Sequence, residues 1–138
     1  MRFGNLVFRS AMLFSLATTS ALAVNHNVAV GQNSQGINAL AFNPSSLTIN
    51  AGDTVTFTNN SGGFHNAHST GGPAADAFQC SVNCASNNTP NSSAWSDIVT
   101  FTMAGTVTYQ CDQHGGMGMT GTITVQALPV RLQSFDVE

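Results

Sequence analysis

Lysine does not occur in this chain, and glutamate occurs once, at Glu138. Charged residues make up 7% of the 138 positions: three arginines (Arg2, Arg9 and Arg131) face six acidic side chains, for a formal net charge of −3. So little positive charge argues against nucleic acids and anionic membranes as partners, since both require basic patches. The acidic groups are scattered, so no single-sign docking face is expected either. Long apolar runs are also missing. Ala11–Leu16 falls far short of the roughly 20 residues that span a bilayer, and no membrane span is expected. Helical periodicity is almost absent, and no internal repeat is visible. Tryptophan and tyrosine occur once each, at Trp95 and Tyr109. A lone tryptophan in this setting is read as core or loop packing rather than as an electron relay.

The first 23 residues have the form of a removable leader. Arg2 and Arg9 give a positive start, Ala11–Leu16 a short apolar centre, and Ala21-Leu22-Ala23 a small-x-small cleavage pattern. Cleavage after Ala23 predicts an exported chain, periplasmic or extracellular. About 115 residues would remain, enough for one domain with one core. Arg131 would then be the only basic side chain against six acidic ones, a side-chain charge of −5. We expect residues 1–23 to be a signal peptide, residues 24–126 a single folded domain and residues 127–138 a C-terminal tail.

Three cysteines are an odd number for an exported chain. Cys80 and Cys84 lie close together in a polar, irregular stretch, and a disulfide between them suits an oxidising compartment. Cys111 is left as a free thiol, which a bound metal would account for.

Short segments rich in Thr and Val predict strands. An N-terminal edge strand is expected around Val28–Val30, with others at Ala39–Phe42 (ended by Asn43-Pro44) and Leu47–Ile49. Thr54–Asn59 alternates, with Val55 and Phe57 on one face and three threonines on the other. Ile98–Met103, Thr106–Cys111 and Thr120–Val125 complete the set. In Thr106–Cys111, Val107, Tyr109 and Cys111 share one face, so Cys111 should leave its strand pointing inward. Ser69–Ala94 is a long polar segment. Loops of that length are uncommon unless functional or stapled, and the disulfide would be the staple. A helical turn at Pro73–Phe78 is expected, because proline suits a first helical turn. Within Ala127–Glu138, an added edge strand at Arg131–Val137 is conceivable. The pattern as a whole predicts an all-β sandwich or barrel.

The densest chemistry is at Cys111–Gly121, which reads Cys-Asp-Gln-His-Gly-Gly-Met-Gly-Met-Thr-Gly. Thiolate, imidazole and thioether are the ligands that soft, redox-active copper prefers. Two imidazoles and a thiolate in a plane, with a weak axial thioether, suit both Cu(I) and Cu(II). His65, just after a strand end, and Cys111, His114 and Met119, on one loop, supply that set. Met119 is preferred to Met117 because the next strand anchors it. His65 is preferred to His68, which lies in a more polar and less anchored setting.

Several segments together carry a resemblance. They are Phe42-Asn43-Pro44, Ala51–Phe57, His65-Asn66, Gly105–Cys111, His114 and Met119–Val125, with the spacing Cys-x2-His-x4-Met. They resemble the plastocyanin/pseudoazurin branch of the cupredoxins over most of Ala39–Gln126. The resemblance implies a cupredoxin-like Greek-key β-sandwich with one type 1 copper ion ligated by His65, Cys111, His114 and Met119. It also implies that Asn66 braces the two ligand loops, and that Gly115, Gly116 and Met117 form an electron-port patch beside His114 where redox partner proteins dock. Some features depart from the pattern. Gln113 stands where plastocyanins often have proline, Ser69–Ala94 is longer than usual, and the acidic cluster of plant plastocyanins is missing.

These features predict an exported, monomeric blue copper protein that carries single electrons and catalyses nothing. Multicopper oxidases flank the copper cysteine with histidines, whereas Gln110 and Asp112 flank Cys111. Cys80-x3-Cys84 imitates half of a dinuclear copper motif, but Asn88 occupies the histidine position and the segment is in the wrong loop. The alternative is a copper chaperone or storage protein, with His68, Met103 and Met117 as a looser second set. The clustered methionines of such proteins are missing.

Overall fold

The computed structural model describes residues 22–84 and 89–129. The expected leader, apart from its last two residues, lies outside the described residues, as do Asn88 and the tail beyond Pro129. Nine strands lie among the described residues: β1 (Asn25–Gln32), β2 (Asn38–Asn43), β3 (Ser46–Asn50), β4 (Thr54–Asn59), β5 (Ala67–Gly71), β6 (Gln79–Cys80), β7 (Trp95–Thr100), β8 (Gly105–Gln110) and β9 (Thr120–Gln126). They form a four-stranded sheet, ordered β2-β1-β4-β7, and a five-stranded sheet, ordered β3-β9-β8-β5-β6. The chain changes sheet after β2, at the cis Asn43-Pro44 bond. The architecture is the all-β sandwich that the sequence predicts.

Alternation builds the core. Along β4, Val55, Phe57 and Asn59 are buried while the intervening threonines are half-buried. Along β8, Val107 and Tyr109 are buried, and Cys111 continues the same parity at 0% exposure. The inner faces meet in an aromatic cluster. The Tyr109 ring packs on Phe42 with centroids 4.7 Å apart and on Phe57 at 5.4 Å, and Phe78 stacks on Phe57 at 5.1 Å. Trp95 is buried in the same core, as expected.

Three expectations need correction. The first strand is not at an edge: β1 lies between β2 and β4, parallel to β4 and antiparallel to β2. The Asn25 carboxamide oxygen secures it by accepting from the Thr54 and Thr56 hydroxyls, both at 2.9 Å. The strand expected at Ile98–Met103 is Trp95–Thr100. There Trp95 and Val99 face inward and Ile98 is 63% exposed, so the apolar Ile98 points the wrong way for a sequence reading. Thr102 and Met103 leave the strand because their backbone N–H groups donate to the buried Asp76 carboxylate at 2.8 and 3.0 Å.

Ser69–Ala94 is also less irregular than its composition suggests. It holds most of β5, a 3₁₀ turn at Ala74–Asp76 capped by Pro73, and β6. The Cys80–Cys84 disulfide is present. Asp76 ties the turn to the segment after β7, and Ser69 exchanges hydrogen bonds with Phe78.

Gly121 pairs with Tyr109 across β8 and β9. A Cβ at Gly121 would lie 2.2 Å from the phenol ring, so only glycine lets that ring fold over its neighbour strand. Gly121→Ala should therefore lower stability by roughly 1–3 kcal/mol through overpacking, measured as a shift in denaturant midpoint with an unchanged slope.

Candidate metal centre

One end of the sandwich gathers the chemistry. There β4 ends at Asn59 and β5 begins at Ala67, while β8 ends at Gln110 and β9 begins at Thr120. The loop from β4 to β5, which crosses between the sheets, carries His65, and the loop between the paired strands β8 and β9 carries Cys111, His114 and Met119.

The first loop is folded by Asn59, which is fully buried. Its carboxamide oxygen accepts from the Ser61 N–H and hydroxyl, and its NH₂ donates to the carbonyls of Gly63 and Asn91, both at 3.1 Å. Asn91 also exchanges backbone bonds with His65. The ring of His65 is seated against Gly31 and Gly63, where a Cβ at either position would come within 2.5 Å of it. None of Asn59, Ser61, Gly63, Asn91 and Gly31 was singled out as a site residue from sequence. An asparagine closing a strand before Asn-Ser-Gly-Gly was the available signal for Asn59, because Asx side chains fold turns.

The second loop is closed on itself. The Cys111 N–H donates to Met119 O, and the Met119 N–H donates to His114 O, both at 3.1 Å. A 3₁₀ turn at Gly115–Met117 lies between them and ends on Gly118 in the left-handed region, at φ 91°. Met119 is 0% exposed and Met117 is 62% exposed, which separates the two methionines by burial.

Asn66 joins the loops. Its NH₂ donates to Asp112 Oδ2 at 2.7 Å, and its oxygen accepts from the Asp112 N–H at 2.8 Å. Asp112 also meets His68 Nδ1 at 2.8 Å and Gln79 Nε2 at 3.3 Å. Partial burial would raise the Asp112 carboxyl, but hydrogen bonds from Asn66, His68 and Gln79 outweigh it and hold it below the usual carboxylate range. His68 is thus engaged outside the cluster, and Asp112 is a hub that sequence reading treated only as a flank.

The structure brings three of the sequence-predicted residues into one group. His65 Nδ1 and His114 Nδ1 are 3.2 Å apart, and they lie 3.8 and 3.5 Å from Cys111 Sγ. Among the described residues, this is the one group of three or more His, Cys, Asp or Glu side chains close enough to hold a metal ion. The circumradius of that triangle is about 2.0 Å, against about 2.0–2.1 Å for zinc–imidazole and 2.3 Å for zinc–thiolate bonds. The donors therefore fit a first-row ion without rearrangement. Burial lowers the pKa of His65, assisted by the facing His114 ring. Its ring is thereby kept neutral, the form that binds metal.

The chain is similar to known proteins. The family of copper binding proteins described as the plastocyanin/azurin family matches residues 26–126. A chloroplastic plastocyanin of Tetradesmus obliquus is 38% identical over 116 residues, covering 82% of this chain and 73% of its own length. The oxidised plastocyanin of Dryopteris crassirhizoma superposes with a TM-score of 0.51 at 26% identity, covering 72% of this chain and 99% of its own. The pseudoazurin of Hyphomicrobium denitrificans superposes at 0.56 and 25% identity, covering 73% and 74%.

Asn66→Ala would remove both ties between the loops and leave the Asp112 N–H unpaired. It should cost roughly 1–3 kcal/mol of stability, read from denaturant midpoints, and about 10–100-fold in metal affinity, read by competition with a chelator of known affinity.

Proposed function

This chain belongs to the plastocyanin/azurin family of copper binding proteins, and on that premise we propose that His65, Cys111, His114 and Met119 hold its copper. It is a blue copper electron carrier. The family and its plastocyanin and pseudoazurin relatives indicate that activity, and the chaperone or storage alternative is not favoured. Its relatives are electron-transfer proteins rather than enzymes. The single observation that carries the ligand assignment is the triangle of Nδ1, Nδ1 and Sγ atoms at 3.2–3.8 Å.

Copper supplies a one-electron Cu(I)/Cu(II) couple in such a donor set. The protein supplies rigidity and dryness. Cys111 is fully buried and His65 is 4% exposed, so water is kept from the donor atoms. Both loops are pinned by strands and by Asn66, which limits the rearrangement that a change of charge would otherwise drive. Met119 is buried and tied by its backbone to Cys111 and His114, which supports it as the residue that would add a weak thioether donor.

His114 is half-buried while His65 is buried, so the electron exit is assigned to His114. Around it Gly115 is half-buried, and Gly116 and Met117 are exposed, which supports an apolar patch for docking redox partners. Phe64 is 57% exposed and neighbours His65 in sequence, which suggests a wider patch than the sequence reading drew. Among the described residues no helix is long and apolar enough to cross a membrane. The leader pattern supports export to a periplasmic or extracellular space, and the scattered charges support a monomer.

Adding Cu(II) to the purified chain should give an intense blue form with reversible one-electron chemistry; a colourless Cu(I) protein that hands its metal to an acceptor would overturn the carrier reading. Cys111→Ser should abolish the colour while circular dichroism shows the fold intact, and retained colour would refute the site.

The axial choice is tested by a pair of variants. Met119→Leu should keep copper and raise the reduction potential, because a donor to Cu(II) is lost. Met117→Leu should change little. A larger spectral change from Met117→Leu than from Met119→Leu would reverse the assignment.

A further inference from the structure

Away from the metal end, Asp53 presents a problem of charge. It is 3% exposed, and the described residues contain no lysine and no arginine. A carboxylate that deep must be compensated. Its Oδ2 accepts from the Asn50 N–H at 2.9 Å and meets His26 Nε2 at 3.2 Å. Its Oδ1 accepts from the backbone nitrogen of Val24 at 2.8 Å. Val24 is also the residue immediately after the Ala21-Leu22-Ala23 pattern. Two independent observations, a cleavage signature and a buried carboxylate, therefore converge on one nitrogen atom.

We propose that cleavage after Ala23 creates a functional group, the α-ammonium of Val24, and that Asp53 is its built receptor. A leader peptidase hydrolyses the Ala23–Val24 bond: water supplies the carboxylate of Ala23, and Val24 keeps the amine, which takes up a proton. A neutral N–H donor thus becomes a cation at the same place. The new ion pair clamps the start of β1 to the turn before β4, whose pairing begins at Asn25 and Thr54. Beyond the copper reading, this proposal rests only on the export reading.

The surroundings suit such a pair. Among the described residues, the titratable group facing Asp53 is His26, from β1. The small cavity beside the carboxylate is lined otherwise by Leu22, Ala23, Asn50, Ala51, Gly52 and Leu128, none of which ionises. Backbone hydrogen bonds from Asn50 and Val24, aided by His26, hold the carboxyl below its ordinary range. Its stabilisation is thus present above the unfolded value of 3.8 and lost as pH falls through the lower folded one. An α-amine ordinarily titrates at about 7.7–8.0, and an adjacent carboxylate raises that value. Its stabilisation is complete below that range and lost as pH rises through the raised value.

Because the chain has no lysine, the α-amine is the only primary amine of the mature protein, and an acylating reagent reports on it alone. The test uses the copper-loaded exported protein. Intact mass should give a chain starting at Val24 with a free amine. Acetylation at about pH 7.5 should be about 7-fold slower in the folded protein than in denaturant, since at that pH one unit of raised pKa cuts the reactive free base from about a third to about a twentieth. The rate–pH profile should move up correspondingly. Asp53→Asn should restore the fast rate. If that variant does not fold, the shifted profile of the unaltered chain decides. A different mature N-terminus, or an amine equally reactive folded and unfolded, would overturn the proposal. The blue absorption, followed throughout, reports on the copper reading separately.

Discussion

Two loops that approach one another from 46 residues apart in sequence must hold their donors within a fraction of an ångström, and the Asn66–Asp112 pair is what joins them. Asn66 is fully buried and sits one residue after His65; Asp112 sits one residue after Cys111. Each partner uses both a donor and an acceptor, so neither can turn without breaking a bond. The same Asp112 reaches His68 on β5 and Gln79 on β6. The brace therefore extends into the disulfide-bearing segment and links it to the metal end by hydrogen bonds.

Scarcity of charge shapes the rest. Where acidic groups are buried, backbone N–H donors satisfy them: Asn50 and Val24 at Asp53, Thr102 and Met103 at Asp76. Such bonds are charge-assisted and stronger than neutral ones. In both cases the carboxylate fixes a turn between strands, and so does the work that loop composition leaves undone. The 3₁₀ turn at Ala74–Asp76 is held in this way to the segment after β7.

Much of the fold was legible because alternation is a local property. Val55 and Phe57, or Val107, Tyr109 and Cys111, declare their face from spacing alone, and burial agrees at every one of them. The ligand types were legible for the same reason, since Cys111, His114 and both methionines lie on one short loop. Ile98 shows the limit. It is apolar yet 63% exposed, so a strand was placed by its hydrophobicity when pairing with β4 puts it three residues earlier. The interior position of β1 was equally hidden, because its parallel partner β4 begins 29 residues later and no short-range pattern records such a contact.

Residue type and short spacing were enough to indicate the candidate donor types, the inward direction of Cys111, the disulfide partners and the family. Tertiary structure decided which donors meet. It placed His65 rather than His68 against Cys111, because Asp112 claims the His68 ring and two glycines seat the ring of His65. It buried Met119 and exposed Met117, because backbone bonds to Cys111 and His114 draw Met119 inward while the glycine turn pushes Met117 out. It also set the nitrogen of Val24 on Asp53. The choice of His65 and the seating of Val24 rest on contacts between residues far apart in the chain, and their energies exist only once the two sheets have closed over the core.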